Sequence, residues 1–153
     1  MGFSYIGLII GFVLMFPSII FMIKFPPINA PVDLTDAGLI FTILERIGQI
    51  GCLTILVISP ANFQGLEINV WALLIALCIT IYYALWIRYI LNRQEHKYLF
   101  KPLYFIPVPL AVFPVLAFAF TSIWGNSLWL GIATILLAVG HITNTYHSYK
   151  QIK

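Results

Sequence analysis

The chain has 153 residues, of which 61% are hydrophobic and 8% charged, with a formal net charge of +3. Soluble domains carry about a quarter charged residues, so this composition cannot cover a water-exposed surface. The length accommodates a single domain, 1–153, and the few basic residues cluster at the ends of apolar runs rather than in a stripe, which excludes a nucleic-acid interface.

The first apolar segment runs from about Ser4 to Ile23 without a charge, enough to cross roughly 30 Å of hydrocarbon at about 1.5 Å per residue. No basic n-region or cleavage site precedes it, so it is expected to be retained as a helix. Lys24 ends it, and Pro26, Pro27 and Pro31 make a loop that cannot be helical. Thr35 or Asp33 is the expected N-cap of segment two, about Ala37 to Ile58, and Asp33 and Asp36 suit its N-terminus. Ser59 and Pro60 stop that segment. A link through Asn62, Gln64, Gly65 and Glu67 leads to segment three, about Ile68 to Leu91.

The stretch Asn92 to Pro102 is the most charged in the chain and must lie in water. Segment four, about Leu103 to Ile123, is interrupted by Pro107, Pro109 and Pro114. The first two push Ile106 and Val108 toward extended backbone and free the carbonyls of Leu103 and Phe105, so a kink or non-helical beginning is expected. Segment five, about Ser127 to Tyr149, follows the turn Trp124–Asn126.

The expected fold is therefore all-α, a polytopic membrane bundle of about five transmembrane helices. Lys24 lies in the first loop, Arg88, Arg93, Lys97 and Lys101 in or beside the third, and Lys150 and Lys153 in the tail. Five spans put all of these on one side, which places the N-terminus outside and the C-terminus in the cytoplasm. Trp71, Trp124 and Trp129 are expected at the outer interface, and Trp86, Tyr89, Tyr98, Tyr104, Tyr146 and Tyr149 at the inner one.

Ionisable groups inside a span cost roughly 2.5–3.5 kcal/mol each on insertion scales and mark functional candidates. Segment two carries Glu45, Arg46 and Gln49. Thr42, Glu45, Gln49 and Cys52 form one polar stripe, and Gly48 and Gly51 permit close approach of another helix. Adjacent residues point about 100° apart, so Glu45 and Arg46 cannot simply neutralise each other. Segment five brings Thr134, His141, Asn144 or Thr145, and Ser148. The candidate ligand-binding set is Glu45, Arg46, Gln49, His141 and Asn144, with Tyr83 and Arg88 from segment three.

Two arrangements account for these residues. In one they surround a pocket open to the cytoplasm. In the other Glu45 is held by Arg46, His141 or Arg88 in a structural network while Arg46 snorkels to the headgroups. His96, His141 and His147 lack metal-ligand spacing, Cys52 and Cys78 behave as small hydrophobes, and no common catalytic or cofactor signature occurs.

The stretches LERIGQIG (Leu44 to Gly51), FKPLYFIPVPLAVFPV (Phe100 to Val115) and GHITNTYHSYKQI (Gly140 to Ile152) resemble small multi-helix membrane proteins of Gram-positive bacteria. That resemblance implies a bacterial plasma membrane and no particular activity or cofactor. The expected function is binding or transport of a small amphipathic or anionic molecule, with the bilayer, a small-molecule or lipid ligand and a second copy of the chain as expected partners. A non-catalytic interaction or regulatory protein is the alternative, and a membrane-embedded enzyme the third.

Overall fold

The computed structural model describes residues 2–59 and 67–152. Asn62, Gln64 and Gly65 of the expected link, with Pro60 and Lys153, lie outside them. The described residues form α1 (Tyr5–Lys24), α2 (Leu39–Ile58), α3 (Val70–Leu91), a short α4 (Lys97–Phe100), α5 (Pro109–Trp124) and α6 (Leu128–Ile152). Four of these, α1, α2, α3 and α6, are long and apolar enough to cross a membrane; α5 is apolar but has 16 residues.

Local chemistry sets most boundaries. Ser4, Asn69 and Ser127 cap α1, α3 and α6 by accepting first-turn backbone N–H groups. The expected cap on α2 is absent: the helix begins after Gly38, whose φ of 133° suits glycine, without a side-chain cap. Thr35 is instead committed across the bundle, its N–H donating to Gln151 Oε1 at 2.9 Å and its carbonyl accepting from Gln151 Nε2 at 2.8 Å.

Segment four begins non-helically, but not as expected in detail. Val108 adopts φ 45°, ψ 54°, a left-handed conformation rather than an extended one. This costs a β-branched residue on the order of 1–3 kcal/mol, and full burial of its side chain holds it there. Nor is the Leu103 carbonyl free. Leu103 and Ile106 exchange backbone hydrogen bonds of 3.0 and 2.9 Å, closing the proline-rich stretch into a turn at the end of the bundle. Pro109 then opens α5, where its missing N–H has no intrahelical acceptor to lose.

The two ends of the bundle are distinct. At one, Ser4 N–H donates to Val57 O at 2.8 Å and Trp124 Nε1 to Glu67 O at 3.1 Å. At the other, Ile28 pairs with the 94–96 backbone, Thr35 with Gln151, and Arg88 Nη2 donates to Lys101 O at 2.7 Å. The first loop, the third loop and the tail thus share one end, which carries Lys24, Arg88, Arg93, Lys97, Lys101 and Lys150. His96 closes this end, 9% exposed and packed on Phe100, and burial pushes its imidazole below the usual histidine range.

The core lies between α3 and α5, around Tyr82, Leu85, Trp86, Tyr89, Phe113 and Phe118. Trp86 and Tyr89, expected at the inner interface, are core residues at 5% and 0% exposure. Tyr89 reaches the Phe25 carbonyl at 2.8 Å from there. On the other side α2 and α6 meet through glycine. A Cβ on Gly48 would lie 2.3 Å from the Leu137 nitrogen, and one on Gly140 2.3 Å from the Glu45 nitrogen. Neither helix could come so close with a larger residue at those points.

Candidate functional site

That contact brings Glu45 of α2 opposite the one irregular stretch of α6. Ala138–Ile142 is a π-turn, which admits an extra residue and aims His141 at α2. His141 Nδ1 lies 2.8 Å from Glu45 Oε1, and Asn144 Nδ2 donates to Glu45 Oε2 at 2.8 Å. Both carboxylate oxygens thus have side-chain partners on the facing helix. Pairing of this kind offsets much of the cost of carrying a carboxylate in an apolar segment.

Glu45, His141 and Asn144 line a cavity of about 390 Å³ to which every helix contributes. Ser18 and Met22 come from α1, Tyr82 and Trp86 from α3, Leu99 and Phe100 from α4, and Leu110 and Ala111 from the first turn of α5. Pro107 and Pro109 are not part of this wall, whereas Pro114 lines the space behind it. Asp36, expected to serve the α2 N-terminus, stands exposed at the mouth. Behind the cavity a second space of about 120 Å³ shares Ser18, Glu45, Tyr82 and His141 with it and adds Met15 and Gln49.

Two buried polar atoms of the residues on this wall have no hydrogen-bond partner among the described residues. Trp86 Nε1, although near the Tyr82 hydroxyl, meets no acceptor in hydrogen-bond geometry, and Asn144 Oδ1 meets no donor. Leaving such a group unpaired costs on the order of 1–3 kcal/mol. Arg46 also lines the cavity. It is exposed, feels the Glu45 charge, and makes no hydrogen bond or ion pair among the described residues.

The remaining candidates fall elsewhere. Gln49 touches only the inner space, donating to Met15 Sδ at 3.3 Å. Tyr83 Oη donates to Val13 O at 2.8 Å, a carbonyl left without its helical donor by Pro17. Arg88 ties α3 to the third loop. Neither of these two is part of the cavity wall. Sequence reasoning missed Trp86 and Tyr82 as wall residues, because an aromatic lining a cavity and one packed in a core look alike in a chain. Cys52 Sγ lies 3.6 Å from Thr134 Oγ1, deeper between α2 and α6. Among the described residues no cluster of three or more His, Cys, Asp or Glu could hold a metal ion. The chain matches no protein-family model, and no curated protein and no solved structure matches it.

Proposed function

We propose that this is a multi-pass protein of a bacterial plasma membrane that binds the polar end of a small anionic amphiphile in the cavity beside Glu45. One observation carries the reading: a cavity of about 390 Å³, polar on α2 and α6 and apolar on α4 and α5, has at its wall a guanidinium with no ion-pair partner among the described residues, and an indole whose buried N–H has no acceptor in hydrogen-bond geometry among them. Both groups call for an acceptor or anion. Glu45 does not compete for them in geometry, since its oxygens are occupied by His141 and Asn144. The resemblance to small bacterial membrane proteins supports the compartment, and the basic residues gathered at the cavity's end of the bundle support a cytoplasmic location for that end.

Titration of butyl phosphate into the purified protein in phosphatidylcholine nanodiscs tests this. Arg46→Gln and Trp86→Phe should each weaken binding about tenfold, as loss of one charge-assisted or buried hydrogen bond does. Equal affinity for wild type and both variants would refute it.

One feature favours a second reading. The Glu45–His141–Asn144 cluster also suits a clasp that fixes α2 to α6 in a non-catalytic interaction protein. Under that reading the two variants would leave butyl phosphate unbound in every case.

A further inference from the structure

A third space lies along the α1–α3 seam. Between α1 and α3 an apolar groove of about 260 Å³ is lined by Ile6, Ile9 and Ile10 on one side and Ala72, Ile75, Ala76 and Ile79 on the other, with Trp124 at its far end. The two helices run in the same direction, so their contacts descend in step. Groove residues Ile10 and Ile79 come first, then the hydrogen bond from Tyr83 Oη to Val13 O, then the cavity residues Ser18 and Trp86. From Ala72 to Trp86 this line covers about 21 Å at ~1.5 Å per residue, more than half of a hydrocarbon core of about 30 Å.

We infer that groove and cavity form one binding site for a single-chain lipid with an anionic head, the head beside Arg46 and Trp86 and the chain laid outward along the α1–α3 seam. This rests on the function proposed above and specifies its ligand. The head then points toward the basic end of the bundle, and the chain runs through the membrane centre toward the opposite end. The groove's walls offer a chain nothing polar to desolvate, and the cavity's unpartnered N–H and guanidinium supply what the head lacks in hydrocarbon. Tyr83 stands where the two parts join. Its bond to the proline-freed carbonyl of Val13 straps the seam, and a lipid arriving sideways from the bilayer has to displace it. A carboxylate and a phosphate monoester share the required chemistry, so fatty acids and lysophosphatidates are both sources.

The test uses the full chain in phosphatidylcholine nanodiscs with three photoreactive probes that carry the same long diazirine-bearing chain: a free fatty acid, its lysophosphatidate and its methyl ester. Labelling should concentrate on Ile6–Ile10 and Ala72–Ile79 for one or both anionic probes, whichever labels more strongly naming the source. It should fall at least fivefold for the methyl ester and in Ala76→Phe, which fills the groove from an exposed position. Tyr83→Phe should speed it severalfold. Butyl phosphate affinity should be unchanged in Ala76→Phe, which also shows that the variant is folded. Labelling spread equally over outward residues such as Ile40, Ile43 and Ile47, or insensitive to Ala76→Phe, overturns the groove while the cavity reading stands on butyl phosphate. Equal labelling by the methyl ester overturns the anionic head, and an unchanged rate in Tyr83→Phe overturns the strap. Absence of butyl phosphate binding in wild type overturns both readings together.

Discussion

Removing His141 isolates what the Glu45 cluster contributes. His141→Ala deletes the partner 2.8 Å from Oε1 and leaves Asn144 on Oε2. A hydrogen bond to a charged group contributes about 1.5–3 kcal/mol net. The Glu45 and His141 side chains are 23% and 33% exposed, so water in the cavity replaces part of the bond and the expected loss is near the lower figure, about 1.5 kcal/mol. Glu45→Gln keeps the shape but removes the charge from both hydrogen bonds, with a loss of similar size. Because both changes break the same contact, the double variant should be little worse than either single one, a coupling of about 1 kcal/mol or more. Arg46→Gln, outside the cluster, should cost less than about 0.5 kcal/mol. Unfolding by SDS in mixed micelles, followed by helicity, measures all four. If the His141 and Glu45 losses add within about 0.5 kcal/mol, the pair is not a functional unit and the cluster has been misread.

Gly140→Val should separate α2 from α6, since even a Cβ there would meet the Glu45 backbone; a loss of at least 1–3 kcal/mol and a drop in folded yield are expected, against little change for the exposed Leu128→Ala. His96 is held neutral by burial, so its folded pKa lies below its unfolded one. Its contribution is therefore fully present above about pH 6.5 and is lost as pH falls through the lower folded value. Limited proteolysis of the first and third loops should rise on acidification in wild type and less in His96→Gln. Removing the exposed charge at the cavity mouth, Asp36→Asn, should strengthen butyl phosphate binding a few-fold at low salt and not at high salt. For topology, cysteines at Lys97 and Glu67 should react with impermeant reagents from the cytoplasm and from outside respectively, against a low background because Cys52 and Cys78 are buried. The reverse pattern would invert the proposed orientation.

The helices were legible because a run of about twenty apolar residues has few other uses, and α1, α2, α3 and α6 follow the expected segments within a few residues. The layer shared by Glu45, His141 and Asn144 was legible from helical spacing and the cost of ionisable groups. Helical spacing alone turns Arg46 about 100° from Glu45; what it could not show is that His141 points at Glu45. That depends on the π-turn, and no residue of Ala138–Ile142 announces one. The proline-rich stretch is a break, as expected, but of the two carbonyls expected to be free that of Leu103 is taken by Ile106, through a turn with Tyr104 in the left-handed region. Trp86 and Tyr89 were assigned to an interface on residue type, which does not distinguish a headgroup belt from an aromatic core.

The π-turn makes α6 two helices with separately chosen phases. Up to Leu137 the azimuth seats Leu137 against Gly48 and Ala133 beside Gly51 of α2; from Thr143 onward it carries Asn144, Thr145 and Ser148 to the cavity wall. Running the same residues as regular α-helix, with none removed, would rotate everything beyond the turn by about 100°. The upper half would keep its seat while Asn144 and the tail swung off the cavity wall. Gln151 would be carried away from Thr35, and the first loop would lose its tether to the tail. One backbone register thus governs whether the cavity has a floor.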